Sequence, residues 1–407
     1  MRIELVAIGN EILSGRILNT NAAFISEHLY QNGWLVERHT TLPDDPEQIR
    51  QGLQEALHRS AVVIVTGGLG PTCDDLTRHV IAAIFDSEFH YNQEVADDLI
   101  KRFGQKLPSL KDQATIPSKA TPILNKFGTA PGLRFQTKTS TLFCLPGVPS
   151  EMENMFVADV LPHLHKIFAT KEKIYSQKVH ICLCTESAID PTLRKLKKRY
   201  PELDVGIYPS YGTVTIVFAS KDKHTLDAAK EVLVTEFATY VFESESGYIE
   251  EAVHQLLISE RKTLALAESC TGGAIAARLT AIAGASDYFL GSAVVYSEEL
   301  KHAFLHVSKN TLSNKGAVSE EVVREMLSGI FEKTSADYGI AVTGIAGPSG
   351  GTPEKPVGTI WAAVGERGKE PDVGTFFVRG SRKTIITFTG DRLLSNLWRK
   401  IAYGMSS

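Results

Sequence analysis

A continuous apolar run, AVVIVT at residues 61–66, passes directly into the glycine-rich segment GGLGPT at residues 67–72. A short run that is apolar at every position is typical of a strand buried on both faces, as in a parallel sheet. Glycines allow backbone N–H groups to approach an anion closely, and a helix that starts after them adds its dipole. The pattern therefore predicts an α/β domain with a phosphate-binding turn at the end of a central strand.

Alternation of strand-like and helix-like segments extends this interpretation along the chain. In the first part, Asn21 is expected to cap a helix that stops at Asn32 and Gly33, and Pro46 suits a first helical turn. The elements predicted there are strands at 2–8, 34–40 and 61–66 and helices at 21–32 and 45–60. A second alternation predicts a helix at 248–260 and strands in TLALAE, SAVVY, YGIAVT and TIWAAV. A small α+β segment lies between the two, so we expect three domains, at 1–168, 172–244 and 248–405.

Length and composition describe a globular chain of several domains. The 407 residues are too many for one hydrophobic core, and 43% of them are hydrophobic. The 43 basic and 47 acidic residues leave a net charge of −4, which argues against a dedicated nucleic-acid binder. The five cysteines form no CxxC pair, so we expect neither a disulfide framework nor a zinc site. Glu4 and Glu11 interrupt the N-terminus and no stretch approaches about eighteen apolar residues, which predicts a cytoplasmic protein without a membrane segment.

The first domain carries two turns of interest. In the first, Gly67, Gly68 and Gly70 present N–H groups suited to phosphate. The second, LPGVPSEM at residues 145–152, offers Ser150 as a helix cap and could face the same pocket across a switch point of the sheet. Three carboxylates are candidates to share a divalent cation with a bound diphosphate: Asp74, Asp75 and Glu11. The alternative is that both segments are ordinary turns and that the aspartates only complement a helix N-terminus.

In the last domain, AESCTGG at residues 267–273 joins a buried strand to an alanine-rich helix. A hydroxyl on such a turn is exposed at the end of the strand, and the N–H groups of Thr271, Gly272 and Gly273 could bind phosphate or an oxyanion. Ser269, Cys270 and Thr271 are all possible nucleophiles, and the local sequence does not choose among them. The alternative is a capped helix start without catalysis.

Two further segments point to the same edge of the second sheet. Tyr296 ends an apolar strand and Lys301 lies one turn into the next segment, where a desolvated lysine can act as a base towards a serine. Taken alone, these two residues would be a packed ring and a solvated charge. The loop TGIAGPSGG at residues 343–351 follows another buried strand and brings a third glycine-rich backbone to this edge.

The N-terminal series GNEILSG, NTNAAFISEHL, TGGLGPTCDD, GTAPG and LPGVPSEM resembles the N-terminal domain of the competence/damage-inducible protein A family (CinA). The resemblance implies a three-layer MoaB-like fold and a pyrophosphatase that acts, with a divalent metal ion, on ADP-ribose or a related nucleotide diphosphate. The substrate-binding residues that it implies are Thr66, Gly67, Gly68, Gly70, Pro71, Thr72, Asn21, Pro146 and Gly147. Two positions depart from the family pattern: Asn19 stands where Asp is usual, and SLKDQA has Lys111 in place of an Asn-Arg pair.

The C-terminal series AESCTGG, YSEELK, GAVSEEVV, TGIAGPSGG and EKPVGTIW resembles the nicotinamide-nucleotide amidase domain (PncC) of the same family. The resemblance implies hydrolysis of the carboxamide of nicotinamide mononucleotide without a metal or other cofactor, with Ser269 as nucleophile, Lys301 as base and Tyr296 as a supporting hydroxyl. The implied substrate-binding residues are Thr271, Gly272, Gly273, Gly344, Ile345, Gly347, Pro348 and Arg382. Glu298 stands where Asn is usual, and Ile386 stands at the position of a second arginine. Glu298 is expected to raise the pKa of Lys301 and so to oppose its role as base.

The middle segment resembles a small KH-like domain, but it has neither a GxxG loop nor aromatic residues in a basic setting, so we do not expect nucleic-acid contact. The favoured interpretation is an enzyme of pyridine-nucleotide salvage with two sites for small-molecule nucleotides. A rival is a nucleotide-binding partner protein of competence or DNA repair with one or both sites inactive. A third hypothesis, a role in molybdopterin metabolism, rests on fold analogy alone. The family resemblance also suggests a homodimer.

Overall fold

The computed structural model of the protein describes residues 2–70, 75–168 and 173–404. The chain forms two compact units, Met1–Tyr175 and Ser176–Ser407. The predicted mixed α/β class is confirmed, because both units combine β-sheets with helices. The second unit contains the predicted middle and C-terminal segments together, and their separation into two domains stays a prediction.

A six-stranded sheet with the order β2-β1-β3-β8-β7-β6 forms the centre of the first unit. Strands β2, β1, β3 and β8 are parallel, and β7 and β6 continue the sheet in antiparallel pairs. A two-stranded antiparallel ribbon of β4 and β5 lies outside it. The strands are β1 (Ile3–Ile8), β2 (Val36–Leu42), β3 (Val62–Thr66), β4 (Phe89–Tyr91), β5 (Thr115–Pro117), β6 (Thr121–Ile123), β7 (Gly132–Gln136) and β8 (Thr141–Leu145).

Helices cover both faces of this sheet and so create its three layers. Alternate residues of the central strands belong to two separate hydrophobic clusters, with Val62 and Ile64 on one face and Val63 and Val65 on the other. This explains why AVVIVT is apolar throughout. The helices are α1 (Asn10–Leu13), α2 (Thr20–Gln31), α3 (Pro46–Arg59), α4 (Thr77–Ile84), α5 (Gln93–Phe103), α6 (Leu110–Gln113), α7 (Pro149–Met155) and α8 (Leu161–Ile167), with a π-helical turn at Phe156–Val160.

Two helix caps differ from the sequence-based expectation. Asn19, not Asn21, caps α2, because its Oδ1 accepts a hydrogen bond from Ala22 N at 3.0 Å. Ser150 does not cap α7, which begins after Val148 with Pro149 in its first turn. In both cases the capping position depends on where the chain leaves the preceding loop, and the residue type alone does not fix it.

The second unit contains two sheets. The first, with the order β10-β11-β9-β12, carries two helices and has its own hydrophobic cluster. Its elements are β9 (Tyr175–Cys182), α9 (Glu186–Arg199), β10 (Asp204–Pro209), β11 (Thr213–Ser220), α10 (Lys223–Glu236) and β12 (Val241–Phe242). Cys182 and Phe242 at its border belong to the larger cluster that continues into the second sheet. The two parts of the unit therefore have separate cores that meet at Cys182 and Phe242.

The second sheet has the order β14-β13-β15-β16-β17. Strands β14, β13 and β15 are parallel, whereas β16 and β17 are antiparallel to their neighbours. The strands are β13 (Leu264–Glu268), β14 (Phe289–Val294), β15 (Tyr338–Gly344), β16 (Thr359–Glu366) and β17 (Asp372–Phe377). The helices are α11 (Ile249–Glu260), α12 (Ala274–Thr280), α13 (Glu298–Leu305), α14 (Lys309–Lys315), α15 (Glu320–Lys333) and α16 (Arg382–Tyr403). Among the described residues, no helix is both long and apolar enough to cross a membrane.

In both units, the carboxyl ends of neighbouring parallel strands meet at one edge of the sheet. Strands β1, β3 and β8 end together in the first unit, and β14, β13 and β15 end together in the second. Loops after such strands converge, and this is where open α/β sheets bind ligands. The segments that the sequence singles out as turns of interest all follow these strands.

Candidate functional site

Ser269 lies on a sharp turn between β13 and α12. Its N–H donates to Val342 O at 3.0 Å, so the strand pairing with β15 continues up to the serine itself. Gly272 and Gly273 then adopt positive φ angles of 62° and 92°, in the left-handed region that favours glycine. The chain thus reverses within four residues and presents Ser269 at the carboxyl end of the strand.

Lys301 is buried beneath this turn and directed at Ser269. Its Nζ lies 2.9 Å from Ser269 Oγ, 2.9 Å from Val295 O and 3.2 Å from Tyr296 O. Only 1% of the residue is exposed. Burial lowers the pKa of Lys301, and the negative charge of Glu298 opposes this effect without reversing it. The expectation that Glu298 raises the pKa is thus right in direction, but burial outweighs it.

Cys270, the neighbour of Ser269, is a poor nucleophile in this setting. It is buried, and burial raises the pKa of its thiol to about 12. Its Sγ lies against Gly344 at the end of β15, where an added Cβ would come within 3.2 Å of the sulfur. Thr271 is also buried, and its Oγ1 donates to a carboxylate oxygen of Glu268 at 2.7 Å. Of the three candidates in the turn, Ser269 is the one whose side chain hydrogen-bonds to Lys301 among the described residues.

Tyr296 and Arg382 meet on the solvent-exposed side of the turn, which is called its open side below. Arg382 donates from Nη2 to Tyr296 Oη at 2.8 Å and from Nη1 to Gly347 O at 2.9 Å. Tyr296 is 57% exposed. Its backbone oxygen, not its hydroxyl, contacts Lys301. The structure therefore brings Ser269, Lys301, Tyr296 and Arg382 together, with the tyrosine hydroxyl linked to the arginine.

Glu268 is the residue of this site that the sequence interpretation missed. It is fully buried, and it accepts hydrogen bonds from Gly273 N at 3.1 Å, Ile275 N at 3.2 Å and Ala276 N at 3.0 Å. Gly272 N donates to Ser269 O at 3.0 Å. Two of the three N–H groups predicted to bind an anion thus already have acceptors within the turn. The signal that could have identified it is a charged residue that ends an apolar strand directly before Ser269.

The third loop, after β15, completes this edge. Ile345 N donates to Thr359 O at 2.9 Å and Gly358 N donates to Ile345 O at 2.7 Å, which fixes the start and the end of the loop. Pro348 is exposed and follows a cis peptide bond. Ile386 is half-buried and packs against the hydrophobic cluster of the unit. Where the family pattern has a second arginine, this chain therefore has an isoleucine that contacts the hydrophobic core.

The first unit has a cavity of about 570 Å³ at the carboxyl edge of its sheet. Most of the predicted residues line it: Asn21, Thr66, Gly67, Gly68, Gly70, Pro146, Gly147, Glu11 and Asp75. Pro71, Thr72 and Asp74 lie outside the described residues. Residues that the sequence interpretation did not single out also line the cavity, among them Asp44 and Glu151. Asp44 closely follows β2, which runs parallel to β1, so its position at this edge could have been predicted.

Close backbone packing shapes this cavity. Gly67 has a φ of 106°, and a Cβ there would lie against Ile8 O. Gly67 N donates to Leu145 O at 3.1 Å, which ties the first glycine-rich turn to the end of β8. Asn21 donates from Nδ2 to Gly147 O at 2.8 Å, while its buried Oδ1 has no hydrogen-bond partner. Asn21 is a residue of the cavity wall, and its Oδ1 is a buried acceptor left without a partner among the described residues.

Carboxylates dominate the charge of this cavity. Glu11, Asp44, Asp75 and Glu151 line it, and no lysine or arginine is among its described lining residues. In the described part of the chain, however, no three His, Cys, Asp or Glu residues are grouped closely enough to hold a metal ion. The described residues alone therefore do not complete the predicted metal site, whose third member is Asp74.

The two N-terminal departures from the family pattern have different settings. Asn19 lines the cavity and caps α2, a role that asparagine fills as well as aspartate. Lys111 is exposed on α6 and is not among the residues that line the cavity. The neighbouring Asp112 instead pairs with the buried Arg78.

Comparisons with known proteins match both units. The family model of the CinA C-terminal domain matches residues 247–401, and that of a probable molybdopterin binding domain matches residues 4–166. A CinA-like protein of Citrifermentans bemidjiense is 39% identical over 396 residues, which cover 96% of this chain and 95% of that protein. A putative competence-damage inducible protein of Halothermothrix orenii is 36% identical over 403 residues, 96% of this chain and 94% of that protein. A crystal structure of the protein CinA with unknown function from Thermoplasma acidophilum is 36% identical, covers 40% of this chain and 96% of that one, and has a TM-score of 0.37.

Proposed function

Because this chain belongs to the CinA-like protein family, we propose that its C-terminal site hydrolyses the carboxamide of nicotinamide mononucleotide to nicotinic acid mononucleotide and ammonia. The observation that carries the proposal is the contact of 2.9 Å between the buried Lys301 Nζ and Ser269 Oγ. Amide hydrolysis requires an activated nucleophile, donors for the oxyanion and a proton for the leaving amine. Residues at this edge supply all three.

The surroundings of Lys301 suit a neutral amine. Its three neighbours are Val295 O, Tyr296 O and Ser269 Oγ, and no carboxylate forms an ion pair with it in the described part of the chain. A neutral amine can donate its two N–H groups to the two carbonyl oxygens and direct its lone pair at the serine hydroxyl. Since burial lowers the pKa of Lys301, deprotonation costs less than it would in water. Lys301 is thereby suited to take the proton of Ser269.

The remaining steps follow from this proton transfer. Ser269 Oγ attacks the carboxamide carbon, and we assign the stabilisation of the oxyanion to the N–H groups of Cys270 and Thr271, which neither Glu268 nor Ser269 O engages. Lys301 returns the proton to the departing nitrogen, ammonia leaves, and water then cleaves the ester with the lysine again as base. Arg382 and Tyr296, on the open side, are placed to bind the phosphate and ribose.

Ammonia release from nicotinamide mononucleotide by the full chain, with and without chelator, tests the proposal. We expect turnover that resists the chelator and is lost in Ser269→Ala. Ser349→Ala, in the exposed part of the third loop, is the matched control and should keep its activity. No ammonia from folded wild-type protein would contradict the proposal and favour the nucleotide-binding partner protein.

For the first unit we propose hydrolysis of a nucleotide diphosphate of the ADP-ribose type. A cavity of about 570 Å³, lined by the glycine-rich segment 67–70, by Asn21 and by four carboxylates, has the size and polarity for a nucleotide. Its carboxylates would repel a diphosphate unless a cation accompanies it, which supports the predicted divalent metal ion. AMP release from ADP-ribose, measured with Mg²⁺, Mn²⁺ or Co²⁺ and with chelator, tests both parts. Activity in the presence of chelator would contradict the metal requirement.

A further inference from the structure

Glu268 has an unusual setting for a carboxylate that no lysine or arginine pairs with in the described part of the chain. Its Oε2 accepts from Thr271 Oγ1 at 2.7 Å, Gly273 N at 3.1 Å and Ile275 N at 3.2 Å. Its Oε1 accepts from Ala276 N at 3.0 Å and Ser292 Oγ at 3.1 Å. Five donors thus surround a fully buried side chain that immediately precedes the proposed nucleophile.

We propose that Glu268 is a positioning residue for Ser269: its carboxylate gathers donors from residues 271–276 and so holds the turn that carries the serine. The inference rests on the proposed amidase function, since it concerns the same turn. Backbone N–H groups at a helix start attract an anion. Here an internal carboxylate takes them, and it pulls residues 271–276 into one fixed arc around its two oxygens.

This arrangement separates two tasks that the glycine-rich turn could otherwise combine: binding of the substrate phosphate and stabilisation of the oxyanion. The N–H groups of Gly273, Ile275 and Ala276 are engaged by Glu268, which leaves those of Cys270 and Thr271 for the reacting carbonyl. A substrate phosphate therefore does not bind at the start of α12. It binds on the open side near Arg382, so the turn recognises the amide and not the phosphate.

Glu268 also reaches the base through its main chain. Its carbonyl oxygen accepts from Val295 N at 2.8 Å, and Val295 O in turn accepts from Lys301 Nζ at 2.9 Å. Ser292, which binds the carboxylate, lies on the same strand β14. One residue thus fixes both the turn that carries the nucleophile and the strand end that holds the base.

Removal of the carboxylate and its replacement by a small external one test the inference. In Glu268→Ala we expect kcat for ammonia release to fall at least about 30-fold, with KM changed less than threefold, since one charged acceptor of several bonds is lost. Sodium formate should restore kcat in a saturable manner, because formate fits the space left by the carboxylate. Formate should restore nothing in Ser269→Ala, and it should not change Glu299→Ala, which loses an exposed carboxylate nearby. A kcat within twofold of wild type, or a loss that appears only in the unfolding midpoint, would overturn the inference.

A second readout does not depend on the substrate. Phenylmethanesulfonyl fluoride sulfonylates an activated serine: the Oγ–S bond forms, the S–F bond breaks, fluoride leaves and the base takes the serine proton. We expect the labelling rate of Ser269, followed by intact mass, to fall in Glu268→Gln. In Thr271→Val, which removes one donor to Glu268, the rate should fall about threefold. Thr271→Val keeps the proposal testable if Glu268→Ala fails to fold. Wild-type protein that is labelled but releases no ammonia refutes the proposed substrate and leaves Glu268 testable. Equal labelling of Thr271→Val, Glu268→Gln and wild type overturns the inference.

Discussion

Lys301 Nζ lies 2.9 Å from Ser269 Oγ, although 32 residues separate the two in the sequence. The contact forms because β13 and β14 are parallel neighbours, so that the turn after one strand and the helix after the other reach the same edge. Among the described residues, Lys301 Nζ contacts carbonyl oxygens and the serine hydroxyl and forms no ion pair with a carboxylate, which is the setting that the proposed serine chemistry requires.

Replacement of the base is expected to stop the reaction without loss of the fold. Lys301→Met keeps the length and apolar stem of the side chain, and kcat should fall about 10²- to 10⁴-fold because the proton acceptor is gone. Lys301→Arg should be equally inactive, since arginine stays protonated. The check is ammonia release together with circular dichroism. Activity of Lys301→Arg near the wild-type level would refute the role of a neutral lysine.

The pH dependence of kcat/KM should respond to Glu298. Activity requires the neutral amine, so it rises as pH passes through the pKa of Lys301, which burial lowers and Glu298 raises. Glu298→Gln removes the raising charge, and the acid limb of the profile should therefore move to lower pH. High salt should reduce the difference, because Glu298 is exposed. Glu299→Gln, next to it on the same helix, is the control and should leave the limb in place. A shift to higher pH would contradict the assignment.

Cys270 should be inert towards alkylation in the folded protein. Burial raises the pKa of its thiol to about 12, so almost none is thiolate at pH 8. We expect iodoacetamide at pH 8 to leave Cys270 unmodified and ammonia release unchanged, whereas the same peptide should be fully modified after unfolding in guanidinium. Peptide mapping by mass spectrometry measures both states. Rapid modification of Cys270 in the native protein would reopen the choice of nucleophile.

Arg382 is expected to act on substrate binding more than on chemistry. Its guanidinium bridges Tyr296 Oη and Gly347 O, on the open side of the turn. Arg382→Gln should raise KM for nicotinamide mononucleotide about 10- to 100-fold, which corresponds to about 1.5–3 kcal/mol for a charged hydrogen-bonded contact. Tyr296→Phe should have a smaller effect of the same kind. Nicotinamide riboside, which lacks the phosphate, should lose this sensitivity, and equal sensitivity with both substrates would contradict a phosphate contact.

Gly67 provides a test in the first unit. Alanine at this position is disfavoured by the φ of 106° and would place its Cβ against Ile8 O. Gly67→Ala should therefore lower stability by at least about 2 kcal/mol and abolish hydrolysis of ADP-ribose. Gly404→Ala, at a left-handed residue with φ 65° and ψ 18° and nothing within 4 Å of the added Cβ, should cost only about 1 kcal/mol and keep the activity. Thermal unfolding and AMP release measure the two effects.

The sequence predicted the strands and turns of both sites because their signals are local. An apolar run that enters a glycine-rich segment determines a buried strand and the turn after it, as in AVVIVT followed by Gly67. The cap of α2 was wrong because Asn19 and Asn21 have equal capping propensity, and only the path of the loop selects Asn19. Propensity is a property of one residue, whereas that path depends on the packing of the whole unit.

Long-range features were harder to predict from the sequence. The burial of Lys301 is not visible in its helix, where exposed residues surround it, and it results from the way α13 packs against β13 and α15. The role of Glu268 depends on five donors, one of which comes from β14. Such a site can be suspected from a charged residue at the end of an apolar strand, but its partners are known only once the strands are paired.

The long helix α16 determines where the second unit can be truncated. It begins with Arg382 at the site and ends against the small sheet, where Trp398 meets the ring of Phe242 at 6.2 Å and Arg399 Nε donates to Thr239 O at 3.1 Å. A fragment that starts at residue 247 would keep Ser269, Lys301 and the ring of Tyr403 beside Trp398, but it would lose Phe242 and expose the apolar surface that Phe242 covers, which favours self-association. A fragment that starts at residue 176 keeps that surface covered. The smaller sheet thus covers part of the apolar core of the second sheet, and a fragment that carries the site is best begun at residue 176.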